Sequence, residues 1–209
     1  MISLKRFKEV FNSSKISDDY FLNLHFLTEA YFKRLLMIWF RREGLDYKTA
    51  KSTIEALKVG SYNLVKTVEK LILNSDKADI GKKYSDYERL RDFYLNYSAK
   101  WRNKRAHGSE DIIKNDEFLK LLICIDKLFI KKFEEILKKE KGLSAFNTPR
   151  EWGAKRVTKK DDKKVREILE ELKNEIKSKP EDKKEIRKEE VQNWFNENFA
   201  DYTPDKIKI

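Results

Sequence analysis

A chain of 209 residues has the length of one domain, or of one domain with an extension. It is 40% charged and 40% hydrophobic, and its six glycines and three prolines are too few for the turns of an all-β sandwich or barrel. The net charge of +11 favours polyanionic partners through long-range attraction and counterion release, although a Lys-rich surface alone is the plainer reading.

The chain opens with a short lead holding a helical turn from Ser3 to Phe11. Ser17 or Asp18 can cap the next helix, which spans about Asp19 to Arg42 and ends at Gly44. Its apolar positions Phe21, Leu24, Leu27, Tyr31, Leu35 and Ile38 recur at helical spacing. A second helix is expected from Tyr47 to Leu73, with Ile54, Leu57, Leu64, Val68, Leu71 and Ile72 buried and a kink at Gly60-Ser61. A polar loop follows, from Asn74 to Gly81.

The third helix starts near Ser85-Asp86, a candidate N-cap, and carries Tyr87, Leu90, Tyr94, Tyr97 and Trp101 as a regular core stripe. These tyrosines read as core rather than as a platform for bases. The fourth helix, about Asn115 to Lys139, is the most apolar segment, and Gly142 ends it. Its single cysteine, Cys124, reads as a small buried hydrophobe in a reducing compartment. The longest apolar run, Leu35 to Phe40, is far short of a membrane span, and the N-terminus has no signal-like apolar core. A cytoplasmic protein without a membrane partner is expected.

Beyond Gly142 the character changes. Residues 143–160 are irregular, with Asn147-Thr148-Pro149-Arg150 breaking helix and Trp152 isolated. Two shorter helices are expected at 161–178 and 181–199, separated by Pro180. From Lys141 onward 18 basic residues face 15 acidic ones, so the basic field is centred on the earlier part of the chain. Four long helices joined by short loops predict an all-α, up-down bundle over residues 1–142, with residues 143–209 as a mixed-charge helical arm whose Trp152 and Trp194 could anchor it to the bundle, to a second protomer or to a partner protein. Deleting that arm should leave the bundle folded.

The chemistry-bearing stretch is Trp101-Arg102-Asn103-Lys104-Arg105-Ala106-His107-Gly108. On a continuous helix Asn103 and His107 share a face, while Arg102 and His107 stand ~140° apart. Gly108 allows the left-handed turn that would let them converge. A guanidinium that forks onto phosphate oxygens, an amide and an imidazole titrating near neutrality would then surround one point. That set suits phosphodiester chemistry on RNA. The imidazole takes the proton of a ribose 2′-hydroxyl, the oxygen attacks the adjacent phosphorus, and the guanidinium stabilises the developing charge. One histidine does not easily serve as base and acid together, so a homodimer would supply the second imidazole. No nucleophilic serine or cysteine and no carboxylate cluster lies nearby, so no metal or other cofactor is expected. The plainer reading is a basic helix end whose cations meet the last carbonyls.

Arg102-Asn103-Lys104-Arg105-Ala106-His107-Gly108 resembles the signature of the HEPN superfamily, in which an arginine, a polar residue and a few further positions precede a histidine. The resemblance covers roughly residues 18–140. It implies a four-to-five-helix bundle with the motif at the end of a late helix. It further implies a dimeric, metal-independent endoribonuclease of the kind found among toxins, phage-defence effectors and RNA-processing factors. By the same resemblance Arg102 and His107 become the catalytic pair and Asn103 their polar partner. The family also holds inactive members that serve as binding modules. Ser109 stands where a toxin subgroup paired with a nucleotidyltransferase antitoxin carries a modified tyrosine, so that form of regulation is not expected here.

Weaker candidates surround this stretch. His25 shares a helix face with Glu29 and Lys33, either as accessory polar groups facing the motif or as a surface or boundary histidine paired with Glu29. Lys100, Lys104 and Arg105 read as RNA-phosphate contacts, and Lys82 and Lys83 extend the positive surface. Residues 143–209, with Trp152 and Trp194, could carry a cognate antitoxin or a defence-complex partner. Three readings follow: a HEPN-like endoribonuclease, an inactive HEPN-like nucleic-acid or protein-binding module, and a structural adaptor acting through its C-terminal arm.

Overall fold

The computed structural model describes residues 3–56, 61–73, 81–106, 115–146 and 186–209, with positions 163, 166, 167, 170 and 174 between the last two segments. Among the described residues the fold is all-helical, and no strand occurs. The chain forms two compact units. The first comprises Met1–Ala30, Asp79–Ile136 and Lys183–Ile209; the second comprises Tyr31–Ala78 and Leu137–Asp182. The division differs from the 1–142 and 143–209 partition expected from composition.

In the first unit, α1 (Leu4–Phe11) is capped by the Ser3 hydroxyl, which accepts from the Arg6 amide at 3.2 Å. It buries Phe7 and Phe11, whose rings stack at 6.2 Å. Helix α2 (Asp18–Arg42) is capped by Ser17, whose Oγ accepts from the Tyr20 amide at 3.1 Å, while Asp18 and Asp19 place negative charge at the positive end of the helix dipole. Residues 18–30 of this helix belong to the first unit and 31–42 to the second.

The third expected helix is a composite. It comprises α5 (Ser85–Phe93), a π-helical turn (Tyr94–Ser98) and α6 (Ala99–Ala106). Ser85 lies inside α5, and the capping residue is Tyr84, which makes no side-chain cap bond, so the expected Ser85-Asp86 cap is corrected. Tyr87, Leu90, Phe93, Tyr94 and Tyr97 are buried, and Phe129 of α7 (Asp116–Lys141) stacks with Tyr94 at 4.6 Å and with Tyr87 at 5.8 Å. Asn115 caps α7 by accepting from the Phe118 amide at 3.0 Å. Trp101 enters the same packing, its ring edge-on to Phe118 at 5.1 Å.

The C-terminal segment also folds into this unit. Helix α8 begins at Lys188, not at Glu181 as the sequence suggested; Ile186 and Arg187 precede it, with Arg187 extended at φ −83° and ψ 147°. Val191, Phe195 and Phe199 are buried, and Trp194 meets Phe93 edge-on at 5.2 Å. Lys127 of α7 is fully buried. Its ammonium donates to the Ser13 carbonyl at 2.8 Å and the Pro204 carbonyl at 2.5 Å, tying the residues before α2 to those after α8. Residues 186–209 are thus part of this unit's core rather than a separate arm.

In the second unit, the end of α2 is closed by Gly44 at φ 102°, with Leu45 N–H donating to the Phe40 carbonyl at 3.0 Å. Asp46 then caps α3 (Tyr47–Ala56), accepting from the Lys48 and Thr49 amides at 2.9 and 3.1 Å. Helix α4 (Ser61–Leu73) follows; the expected kink at Gly60 falls outside the described residues. Tyr31, Phe32, Leu36, Leu64, Val68 and Leu137 are buried, and Arg34 donates to the Ala145 carbonyl at 2.7 Å. The irregular chemistry expected at residues 147–160, Trp152 included, and the start of the helix expected at 161–178 lie outside the described residues.

Candidate functional site

The π turn matters because it sets the rotation at which α6 leaves the core. Trp101 points inward to Phe118, and the next residue, Arg102, therefore faces α2. Its guanidinium makes three contacts. Nη2 donates to Glu29 Oε1 at 3.1 Å, Nη1 donates to Asn103 Oδ1 at 2.6 Å, and the planar group lies over the Phe26 ring, 5.2 Å from its centroid. Arg102 Nε is buried with no hydrogen-bond partner among the described residues. The side chains of Arg102 and Glu29 are 16% and 21% exposed, so the pair is sheltered yet reachable from solvent.

One turn before Glu29, His25 is fully buried, which corrects the expectation of a surface histidine. Its ring stacks on Tyr94, the first residue of the π turn, at 5.4 Å and 16°. Its Nε2 stands 3.8 Å from Glu29 Oε1, longer than a hydrogen bond. Burial, reinforced by the Arg102 charge, pushes the imidazole down to about 3. His25 is neutral near neutrality, and its place is that of a wall behind Glu29.

The structure thus brings together Arg102, Asn103, Glu29 and His25, four residues singled out from the sequence. His107 and Gly108 lie outside the described residues, as does the side chain of Arg105. Lys100 and Lys104 are exposed on α6, with the Lys104 ammonium over the Trp101 ring at 5.0 Å. Lys82 and Lys83 are exposed before α5, and the Lys83 ammonium lies 5.7 Å from the Tyr84 ring centroid. Among the described residues no group of three His, Cys, Asp or Glu side chains is placed to hold a metal ion.

Two features escape a reading of the sequence. Phe26 carries no pattern that would distinguish it from a core phenylalanine. Asp126 is fully buried in α7 and accepts from the hydroxyl of Ser98, the last residue of the π turn; burial pushes its carboxyl up to about 8. The Asp126 bond anchors the far end of the turn as Tyr94 anchors the near end, so the direction of Arg102 is set from both sides.

Chemically, the arrangement is a cation held by a carboxylate and an amide at the end of a helix, beside an exposed aromatic ring. A phosphate arriving here would share the guanidinium fork with Glu29. Comparison with protein-family models, with curated proteins and with solved structures finds no significant match.

Proposed function

We propose that this chain is a HEPN-like, metal-independent endoribonuclease whose active site is completed by a second copy. The observation that carries the reading is the fixed position of Arg102, held by Asn103 and Glu29 at the end of the helix that runs toward His107. A guanidinium ordered before substrate arrives loses little entropy on meeting a phosphate, which is what transition-state stabilisation asks of it. The +11 charge supports a polyanionic substrate, and Lys100, Lys104, Arg105, Lys82 and Lys83 are its proposed phosphate contacts.

In this mechanism His107 removes the proton of a ribose 2′-hydroxyl, and the resulting oxygen attacks the adjacent phosphorus. Arg102 stabilises the charge on the phosphoryl oxygens. The 5′-oxygen departs with a proton from a second imidazole, leaving a 2′,3′-cyclic phosphate. His25 does not fill the second role, since it stays neutral down to about pH 3. The reading therefore takes the second imidazole from the partner copy of a homodimer. Glu29 acts as a positioning residue for Arg102. The resemblance of residues 102–108 supports an up-down HEPN-like bundle and a toxin or phage-defence role in the cytoplasm, in which an antitoxin or a defence-complex protein would be a further partner.

The test is cleavage of a mixed RNA pool in EDTA. Intact protein should cut it to products ending in 2′,3′-cyclic phosphate. His107→Ala should lower the rate by about 10²-fold or more, the usual contribution of a general base. RNA left uncut by the intact protein, or cut equally by His107→Ala, overturns the enzymatic reading. One observation favours a second reading, an inactive binding module: Glu29 already occupies one edge of Arg102, as in an ordinary structural ion pair. Binding without cleavage would select it.

A further inference from the structure

Of the 13 phenylalanines of the chain, eleven are buried and Phe146 is half-buried. Phe26 alone is exposed, with 54% of its surface open. An isolated exposed apolar residue is commonplace on a protein surface. This one is distinguished by its neighbour, since the Arg102 guanidinium lies over its ring, 5.2 Å from the centroid. The same guanidinium is bonded to Glu29, one turn along α2 from Phe26. The cation thus covers one face of the ring, and the rest of the ring is open to solvent, with the exposed Lys100 and Lys104 on the helix that carries Arg102.

An aromatic face beside a phosphate-binding cation is the pairing that grips unpaired nucleic acid. The cation takes the backbone, and the ring takes a base, whose π-face stacks on it. A duplex cannot use such a ring, because its bases are already stacked inside the helix; a single strand or loop can.

We propose that Phe26 is a nucleobase-stacking residue of the Arg102 site, its solvent-facing side gripping a base of the strand whose phosphate Arg102 receives. The proposal rests on the ribonuclease reading for its location and on the exposure of Phe26 for its content. Stacking is tolerant of base identity, so Phe26 selects strandedness rather than sequence. The ring also shields one face of Arg102 from water, which strengthens the guanidinium's attraction for the phosphate.

The experiment uses the full chain carrying His107→Ala, with a single-stranded RNA containing 2-aminopurine as probe. Binding should quench the probe's fluorescence, and the same sequence in a duplex should bind more weakly. Adding Phe26→Ala should weaken single-strand binding roughly tenfold and abolish the quench, while Phe26→Trp restores both. Because the side chain is exposed, these variants keep the core intact. Unchanged affinity and quench in Phe26→Ala overturn the proposal. So does a change in oligomeric mass with RNA affinity unaltered, which would make Phe26 a contact between copies. Cleavage by the unsubstituted chain is scored separately. Cleavage with Phe26-independent binding removes the stacking alone. A Phe26-dependent quench without cleavage removes the ribonuclease reading alone. Absence of both binding and cleavage removes the two together.

Discussion

Asp126 and Lys127 stand side by side on α7, and both are fully buried. Their burial follows from what surrounds them. Ser98 donates to one carboxylate oxygen of Asp126, and the carbonyls of Ser13 and Pro204 accept from the Lys127 ammonium, while Asp126 Oδ2 is buried without a hydrogen-bond partner among the described residues. The titration of two buried groups then shapes stability in opposite directions. The Asp126 carboxyl is raised from 3.8 to about 8, so its contribution is full below about pH 4 and is lost as pH rises through about 8. The His25 imidazole is lowered from 6.5 to about 3, so its contribution is full above about pH 6.5 and is lost as pH falls toward about 3. Urea unfolding across this range should show that Asp126→Asn, which cannot ionise, flattens the decline between about pH 4 and about 8. An unaltered slope would mean that Asp126 is already ionised in the folded protein.

The π turn at Tyr94–Ser98 is the element that most affects the candidate site. The apolar stripe from Tyr87 to Trp101 reads as unbroken in the sequence, because its spacings of three and four continue through the turn. A π turn widens the coil locally and is often found at functional positions. Here it moves α6 out of phase with α5, burying Ser98 against Asp126 and turning Arg102 toward Glu29. Deleting Asn96 should restore a plain α-helix and rotate Arg102 by about 100° away from Glu29. Helix content measured by circular dichroism should be nearly unchanged while RNA cleavage falls to the level of Arg102→Ala. A deletion variant that still cleaves like the parent would separate the turn from function.

At the scale of the whole molecule, residues 186–209 form part of the first unit's core. They bury Val191, Phe195, Phe199 and Ile207, add the Arg89–Glu190 ion pair at 2.6 Å, and supply the Pro204 carbonyl to Lys127. Four buried side chains of this kind contribute about 6 kcal/mol or more, comparable to the 5–15 kcal/mol by which domains are typically stable. Removing residues 186–209 should therefore abolish cooperative unfolding of this unit, seen as loss of a sharp thermal transition, whereas a detachable arm would leave the transition in place. The expectation that the bundle stays folded without residues 143–209 is replaced on this ground. Net charge and mixed sign had marked the segment as peripheral. Yet a segment with few apolar residues can be core if those residues share one face and a partner surface awaits them.

The sequence by itself determined the helical class and the ends of most helices. Those depend on local chemistry: the hydroxyl of Ser17 at the start of α2, Gly44 after its end and Gly142 beyond α7. It also singled out Arg102, Asn103, His25 and Glu29, since residue type and helical spacing can be read one turn at a time. Only the tertiary structure decided that His25 is buried and neutral, that Glu29 bonds Arg102 across 73 positions of chain, and that Phe26 stays in solvent beside them. Those facts depend on the phase of α6 and on what packs behind α2. Phase is set by a π turn that leaves no mark in the hydrophobic pattern.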